Sequence, residues 1–213
     1  MIISPGRGYI FVHIPKTGGT SLALALEDRA HRDDILIGDT PKAKKRKGRL
    51  KGLQAKGRLW KHSTLADIYG VIGAEDMRAM FIATLVRNPW ERIVSYYHWL
   101  QTQSFDHPAV TLSKSESFDG FLHNKTITNS LRASPARFYV TDVTGTEHKA
   151  HFLRLEHLDE DLQPFETHLG FKLDMPHANQ SERDDYRGYY DNALAEHVAE
   201  ICAEDIARFG YVF

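Results

Sequence analysis

The sequence predicts an α/β fold organised around a mainly parallel sheet. Three observations carry this. Residues 9–14 and 80–86 are apolar runs of strand length, and the second is continuous, as a strand covered on both faces requires. Each run stops just before or shortly before a proline, Pro15 and Pro89, and each is followed by a stretch with helical spacing. The resulting order, strand then helix and again strand then helix, favours parallel pairing with crossover helices.

In chain order, residues 8–14 read as a buried strand and 20–30 as a helix. Residues 38–58, rich in glycine and lysine, read as an irregular insertion. Residues 63–70 read as a short helix capped by Ser63 or Thr64. Residues 80–86 form the central strand, and the helix opened by Pro89 gathers Ile93, Val94, Tyr97 and Leu100 on one face. From 102 to 130 the chain is polar and turn-rich, with a helical piece at 117–123. A further strand is expected at 150–155, a helix at 156–169 and a loop at 174–188. A last helix, near 189–208, buries Leu194, Val198, Ile201, Cys202, Ile206 and Phe209.

With 213 residues, 42% of them hydrophobic, the chain suits one domain, residues 1–213, with a basic insertion at about 38–60. No apolar run is long enough to cross a bilayer, and the N-terminus lacks the order of a signal peptide. The single cysteine, Cys202, excludes an internal disulfide and a cysteine-based zinc site. A reducing, cytoplasmic setting is the simplest expectation. The net charge of −1 hides an asymmetry: residues 41–61 hold ten of the 27 basic residues and no acid. Such a run either meets an anionic partner or forms a solvated, mobile loop.

The chemistry concentrates in residues 11–22, Phe-Val-His-Ile-Pro-Lys-Thr-Gly-Gly-Thr-Ser-Leu. A strand, a glycine-bearing loop and a helix start place unpaired N–H groups where an anion can sit. Gly18 and Gly19 permit close backbone approach, Lys16 adds charge, and Thr17, Thr20 and Ser21 add donors. A glycine pair alone would only turn the chain; with a lysine and three hydroxyls, phosphate or sulfate binding is expected. Lys16 precedes the glycines, so the nucleotide triphosphatase pattern, in which the lysine follows them, fails. A second anion site is expected after residues 80–86. There Arg87 can fork two hydrogen bonds to a phosphate, and Ser95 lies one to two turns into the next helix. Ligands of open α/β sheets occupy this strand edge, so one ligand with two anionic groups would satisfy both sites.

These two segments, residues 11–21 and 85–97, resemble the sulfotransferases that use 3′-phosphoadenosine 5′-phosphosulfate (PAPS). The nearest resemblance is to the carbohydrate branch, including heparan sulfate 2-O-sulfotransferase-like and bacterial family 2 proteins. Residues 155–158, 176–183 and 205–211 look similar to family 2 as well. The resemblance implies a P-loop-like three-layer fold with a central parallel sheet flanked by helices. It implies 5′-phosphosulfate binding by the loop (Lys16, Thr17, Gly18, Gly19, Thr20, Ser21) and 3′-phosphate binding by Arg87 and Ser95. Ser181 and Arg183 would close over the adenine. No metal is required.

In-line transfer needs a base on the acceptor hydroxyl and a cation on the leaving side. Lys16 takes the leaving side. His62 is chosen as base, since histidine accepts a proton near neutral pH and a histidine precedes the second strand in 2-O-sulfotransferase-like members. His13 and Asp67 stand as alternatives. His148 and His151, near Glu147, read as surface residues. Trp90, Tyr96 and Trp99 read as packing, with stacking on a sugar or base as the alternative. The acceptor is expected to be a hydroxyl on a glycan, with no nucleic acid partner. Two other functions compete: a non-catalytic polyanion-binding module using residues 41–61, and a P-loop-like nucleotide kinase. The kinase lacks its lysine motif and an evident acidic magnesium site.

Overall fold

The computed structural model describes residues 1–176 and 185–213. The chain divides into two compact units. One comprises Met1–Val86 and the stretch beginning at Ala136; the other comprises Arg87–Pro135 and the C-terminal stretch to Phe213.

The first unit holds a five-stranded sheet of β1 (Ile2–Ser4), β2 (Tyr9–Val12), β3 (Ile35–Leu36), β4 (Phe81–Val86) and β5 (Ala150–Arg154), in the order β3-β1-β2-β4-β5. The strands β2, β4 and β5 run parallel, with Val12 beside Thr84 and Val86 beside Arg154. The strand β1 opposes both β2 and β3, so the sheet is mixed, with its parallel part at β2-β4-β5. A tight turn at Pro5–Arg7, closed by Gly8 at φ 61°, reverses the chain between β1 and β2. Helix α1 (Gly19–Asp28) follows β2. Its Leu22 and Leu26 pack with Phe11 of β2, Leu85 of β4, Leu153 of β5 and Phe165 of the helix Gln163–Leu169 in one buried cluster.

Four local expectations are corrected here. The basic stretch is irregular only in part: residues 41–50 form α2 (Pro41–Arg46) and a 3-10 turn, Lys47–Leu50, while 51–58 make turns and bends. Thr40 caps α2 by accepting from the Ala43 N–H at 3.2 Å, and its own hydroxyl donates to the buried Glu27 carboxylate at 2.7 Å. Residues 63–70 make turns rather than a helix, although Asp67 folds back to accept from the Thr64 N–H and hydroxyl as a helix-start cap would. The expected helix at 156–169 is split into a 3-10 turn and two short helices, Leu158–Asp161 and Gln163–Leu169. Arg154 grips the first of these through a two-pronged pair with Asp161, at 2.9 Å on each prong. Helix α3 (Ala74–Ala79) then leads into β4.

The second unit is helical. Helix α4 (Pro89–Gln101) starts on Asn88, whose side-chain oxygen accepts from the Trp90 N–H at 3.1 Å, with Pro89 in the first turn. Ile93, Tyr97 and Leu100 pack with Val110, Phe121, Ile127, Leu194 and Val198. The last helix is a correction too. It begins at Asn192 and breaks at Cys202 into Asn192–Ile201 and Ala203–Phe209, leaving Cys202, Ile206 and Phe209 only half-buried. Among the described residues, no helix is long and apolar enough to cross a membrane.

Candidate active site

After β2 the chain turns through residues 13–18 into α1. Lys16 sits in the left-handed region at φ 66°, and so does Gly18 at φ 84°. The two glycines serve different needs. At Gly18 the backbone conformation itself favours glycine, and a Cβ there would stand 3.0 Å from Leu155 Cδ1. At Gly19 the constraint is space: a Cβ would lie 2.3 Å from Cδ2 of His13. The His13 ring is therefore laid directly against the first residue of α1.

The hydroxyls of the loop also divide. Thr17 is fully buried and donates to the Ile14 carbonyl at 2.9 Å. Its side chain braces the loop instead of offering a donor to a ligand, which corrects that part of the sequence reading. Thr20 and Ser21 are half-exposed, and Ser21 N–H closes the first turn on the Gly18 carbonyl at 3.1 Å. Thr20 and His13 border a narrow cleft of about 10 Å³ shared with Asp39, Thr40 and Lys61, room for about one water.

His62 is brought to the root of this loop. Its Nδ1 lies 2.7 Å from the His13 carbonyl oxygen, and its ring meets the His13 ring edge to face at 4.7 Å. A carbonyl only accepts, so Nδ1 carries the proton and donates, and Nε2 holds a lone pair. Burial pulls the His62 pKa down to about 4, and burial likewise drives His13 well below the ordinary value. Both rings are neutral at pH 7. Asp67, the carboxylate alternative, is held at the Thr64 turn by bonds of 2.8 and 3.0 Å.

Sequence reasoning passed over the turn that presents His62. Ser63, fully buried, accepts from the Trp60 N–H at 2.9 Å, and its hydroxyl faces the Arg58 and Trp60 carbonyls at 2.8 Å each. The turn fixes Arg58, Trp60 and His62 as one group. Trp60 is 41% exposed, its ring centroid 5.0 Å from that of His62, with the Arg58 guanidinium carbon 5.5 Å from the indole. A serine's habit of bonding nearby backbone was the available signal.

The basic run is partly spent on structure. Lys42 donates to the Glu27 carbonyl, Arg46 to the His31 carbonyl at 2.8 Å, and Arg49 to the Arg32 carbonyl. These groups neutralise the carbonyl-rich end of α1 and the turn after it. Lys61 pairs with Asp39 at 2.7 Å. Lys44, Lys45 and Lys47 are exposed.

In the second unit Arg87 forms an ion pair with Glu91 one turn into α4, and its side chain is 12% exposed. Ser95 is buried on α4. A phosphate bound by Arg87 would share the guanidinium with Glu91. Trp90 is buried, its indole N–H donating to the Ala195 carbonyl at 3.0 Å, while Tyr96 and Trp99 are half-exposed and stack at 6.2 Å. Packing thus accounts for Trp90. Ser181 and Arg183 lie outside the described residues.

Two histidines read as surface residues are not. His148 is buried, its Nε2 2.9 Å from Asp142 Oδ2, in a turn where Asp142 also accepts from Thr144 and Thr146. These bonds hold the Asp142 carboxyl well below its usual range against burial, which raises it. His151 is half-buried in β5 and bonds the Asp161 carbonyl at 2.8 Å.

The profile of the sulfotransferase family matches residues 1–212. A comparison with curated proteins finds no match.

Proposed function

This chain belongs to the sulfotransferase family, which transfers sulfo groups, and we propose that it moves the sulfo group of PAPS to a hydroxyl of a carbohydrate acceptor. The observation that carries the reading is the bond from His62 to the His13 carbonyl. It joins a proton acceptor of fixed tautomer to the root of a glycine-lysine loop at a helix start. On this reading the fold is P-loop-like, with the lysine ahead of the glycines.

The loop residues suit the phosphosulfate end of the donor. The left-handed backbone at Lys16 and Gly18 shapes the bend of the loop, and the His13 ring packed against Gly19 fixes the start of α1. Lys16, Thr20 and Ser21 would hold that end with the backbone of Gly18 and Gly19. Arg87 and Ser95 would hold the 3′-phosphate, and Ser181 and Arg183 the adenine. Bound there, PAPS supplies the sulfo group and a phosphate leaving group. Lys16 neutralises the charge that grows on the leaving side. Nε2 of His62 takes the acceptor's proton while Nδ1–H stays on the His13 carbonyl and keeps the ring oriented.

The exposed Trp60 supports a sugar acceptor, because an indole face packs against the apolar C–H face of a pyranose, and Arg58 beside it favours an acidic ring.

Calorimetry with adenosine 3′,5′-bisphosphate (PAP) tests the donor half. Arg87→Ala is expected to weaken PAP about ten-fold or more, the loss of a charge-assisted contact, with Ser95→Ala following in the same direction. Unchanged affinity would remove both from the 3′-phosphate site. The lysines test the acceptor half. Changing Lys44, Lys45 and Lys47 together to glutamine should raise the KM of an acidic acceptor and leave the melting temperature unmoved. Lys42→Gln should instead lower stability by about 0.3–1 kcal/mol, because it removes a cation from the end of α1. Equal loss of PAP binding in the triple variant would move those lysines to the donor site.

A further inference from the structure

A cleft of about 320 Å³ opens at the far end of α1 from the glycine loop, lined by Arg32, Asp34, Ile35, Arg46, Arg49 and Leu50 among others. None of these residues takes part in the proposed transfer. The cleft has three kinds of wall. Arg46 and Arg49 each spend one N–H on a backbone carbonyl, out of the five that a guanidinium carries. Arg32 is exposed at the mouth, paired with Asp33 at 3.5 Å. Ile35 and Leu50 are half-buried and apolar.

Asp34 is the decisive member. It is 2% exposed, and its Oδ2 accepts from the His31 N–H at 2.8 Å. Its Oδ1 is buried with no hydrogen-bond partner among the described residues. A buried carboxylate oxygen without a donor carries a desolvation cost that a ligand's hydroxyl would remove. Arginines ask for an anion, the carboxylate asks for an O–H, and the apolar wall asks for carbon.

We infer that this cleft binds a small polyol bearing a phosphate or sulfate group, with the anion on Arg46 and Arg49 and a hydroxyl donated to Asp34. Its volume lies at the small end of ligand pockets and admits one sugar-sized molecule. The inference does not rest on the transfer reaction.

The test is calorimetric titration of the full chain carrying Lys16→Ala, so that the loop does not compete, with glucose 6-phosphate, glucose 6-sulfate, glucose and inorganic phosphate. Saturable binding of either sugar ester, tighter than inorganic phosphate and with glucose silent, is expected. The tighter ester identifies the anion. Arg49→Gln should weaken the ester about ten-fold. Asp34→Asn keeps an acceptor for the His31 N–H but replaces Oδ1 by a donor. It should weaken the sugar ester while leaving inorganic phosphate unchanged or tighter, since a negative charge is gone. Leu50→Trp fills the cleft without altering its charges and should abolish binding; circular dichroism of each variant checks the fold. No saturation by either ester at about 10 mM overturns the inference. So does binding that persists in both Arg49→Gln and Leu50→Trp, or inorganic phosphate matching the esters.

Discussion

Replacing His62 by asparagine is expected to lower turnover by about 10²- to 10⁴-fold while PAP affinity stays unchanged. Asparagine is the informative change because its amide N–H can still donate to the His13 carbonyl, so the root of the loop keeps its bond. What disappears is the lone pair on Nε2. Turnover within a few-fold of the unaltered protein would return the base to His13 or to a carboxylate. The pH profile gives a second readout. A base must be neutral to accept a proton, and burial holds the His62 pKa at about 4. The acid limb of kcat/KM, which reports the free enzyme, is therefore expected near pH 4 and not near 6.5. The same burial limits how long the protein survives there. An unfolded histidine takes its proton near pH 6.5 and the folded His62 only near 4, so between these values the unfolded state binds more protons. Stability then falls as pH drops through that window, by on the order of 3 kcal/mol from His62, with His13 adding in the same direction. Rates in acid call for brief exposure, and urea melts at pH 7 and pH 5 measure the stability term.

Gly19→Ala should cost about 1–3 kcal/mol of stability, the usual penalty for a methyl forced into filled space. It should also lower kcat/KM by on the order of 10²-fold, since small displacements of positioned groups are expensive in catalysis. The methyl would meet His13 Cδ2 at 2.3 Å, and that ring is confined between Phe11, at 5.8 Å, and His62, at 4.7 Å. Relief by moving His13 shifts the group that orients His62. A double-mutant cycle isolates the cause: in a His13→Ala background the same methyl finds room, and its cost should nearly vanish. An undiminished cost would place the strain in the backbone of α1 instead.

What the sequence made legible follows from what side chains advertise. The strand at Phe81–Val86 is long and apolar, and the loop before α1 carries its lysine, glycines and hydroxyls within six residues. Pro89 and Asn88 mark the start of α4 by composition alone. The strands β1 and β3 are three and two residues long, too short to show a period, and β1 reverses the local direction of the sheet. The basic run looked irregular because its partners are main-chain carbonyls, which no residue pattern displays. The break at Cys202 was invisible for the opposite reason: helical spacing continues across it. At the candidate site, His62 was singled out by type and position. The turn that presents it hinges on Ser63, which the sequence offered only as a cap for a helix that does not form.

Lys16 stands at φ 66°, where an L side chain costs about 1–2 kcal/mol and glycine would rest easily. The folded chain carries this tension before any ligand arrives, and the neighbouring Thr17 hydroxyl, bonded to the Ile14 carbonyl at 2.9 Å, closes the bend across it. A positive charge has been kept at the tip of a bend best suited to a bare backbone. The bend is thus set in advance, and binding energy need not be diverted to shaping it.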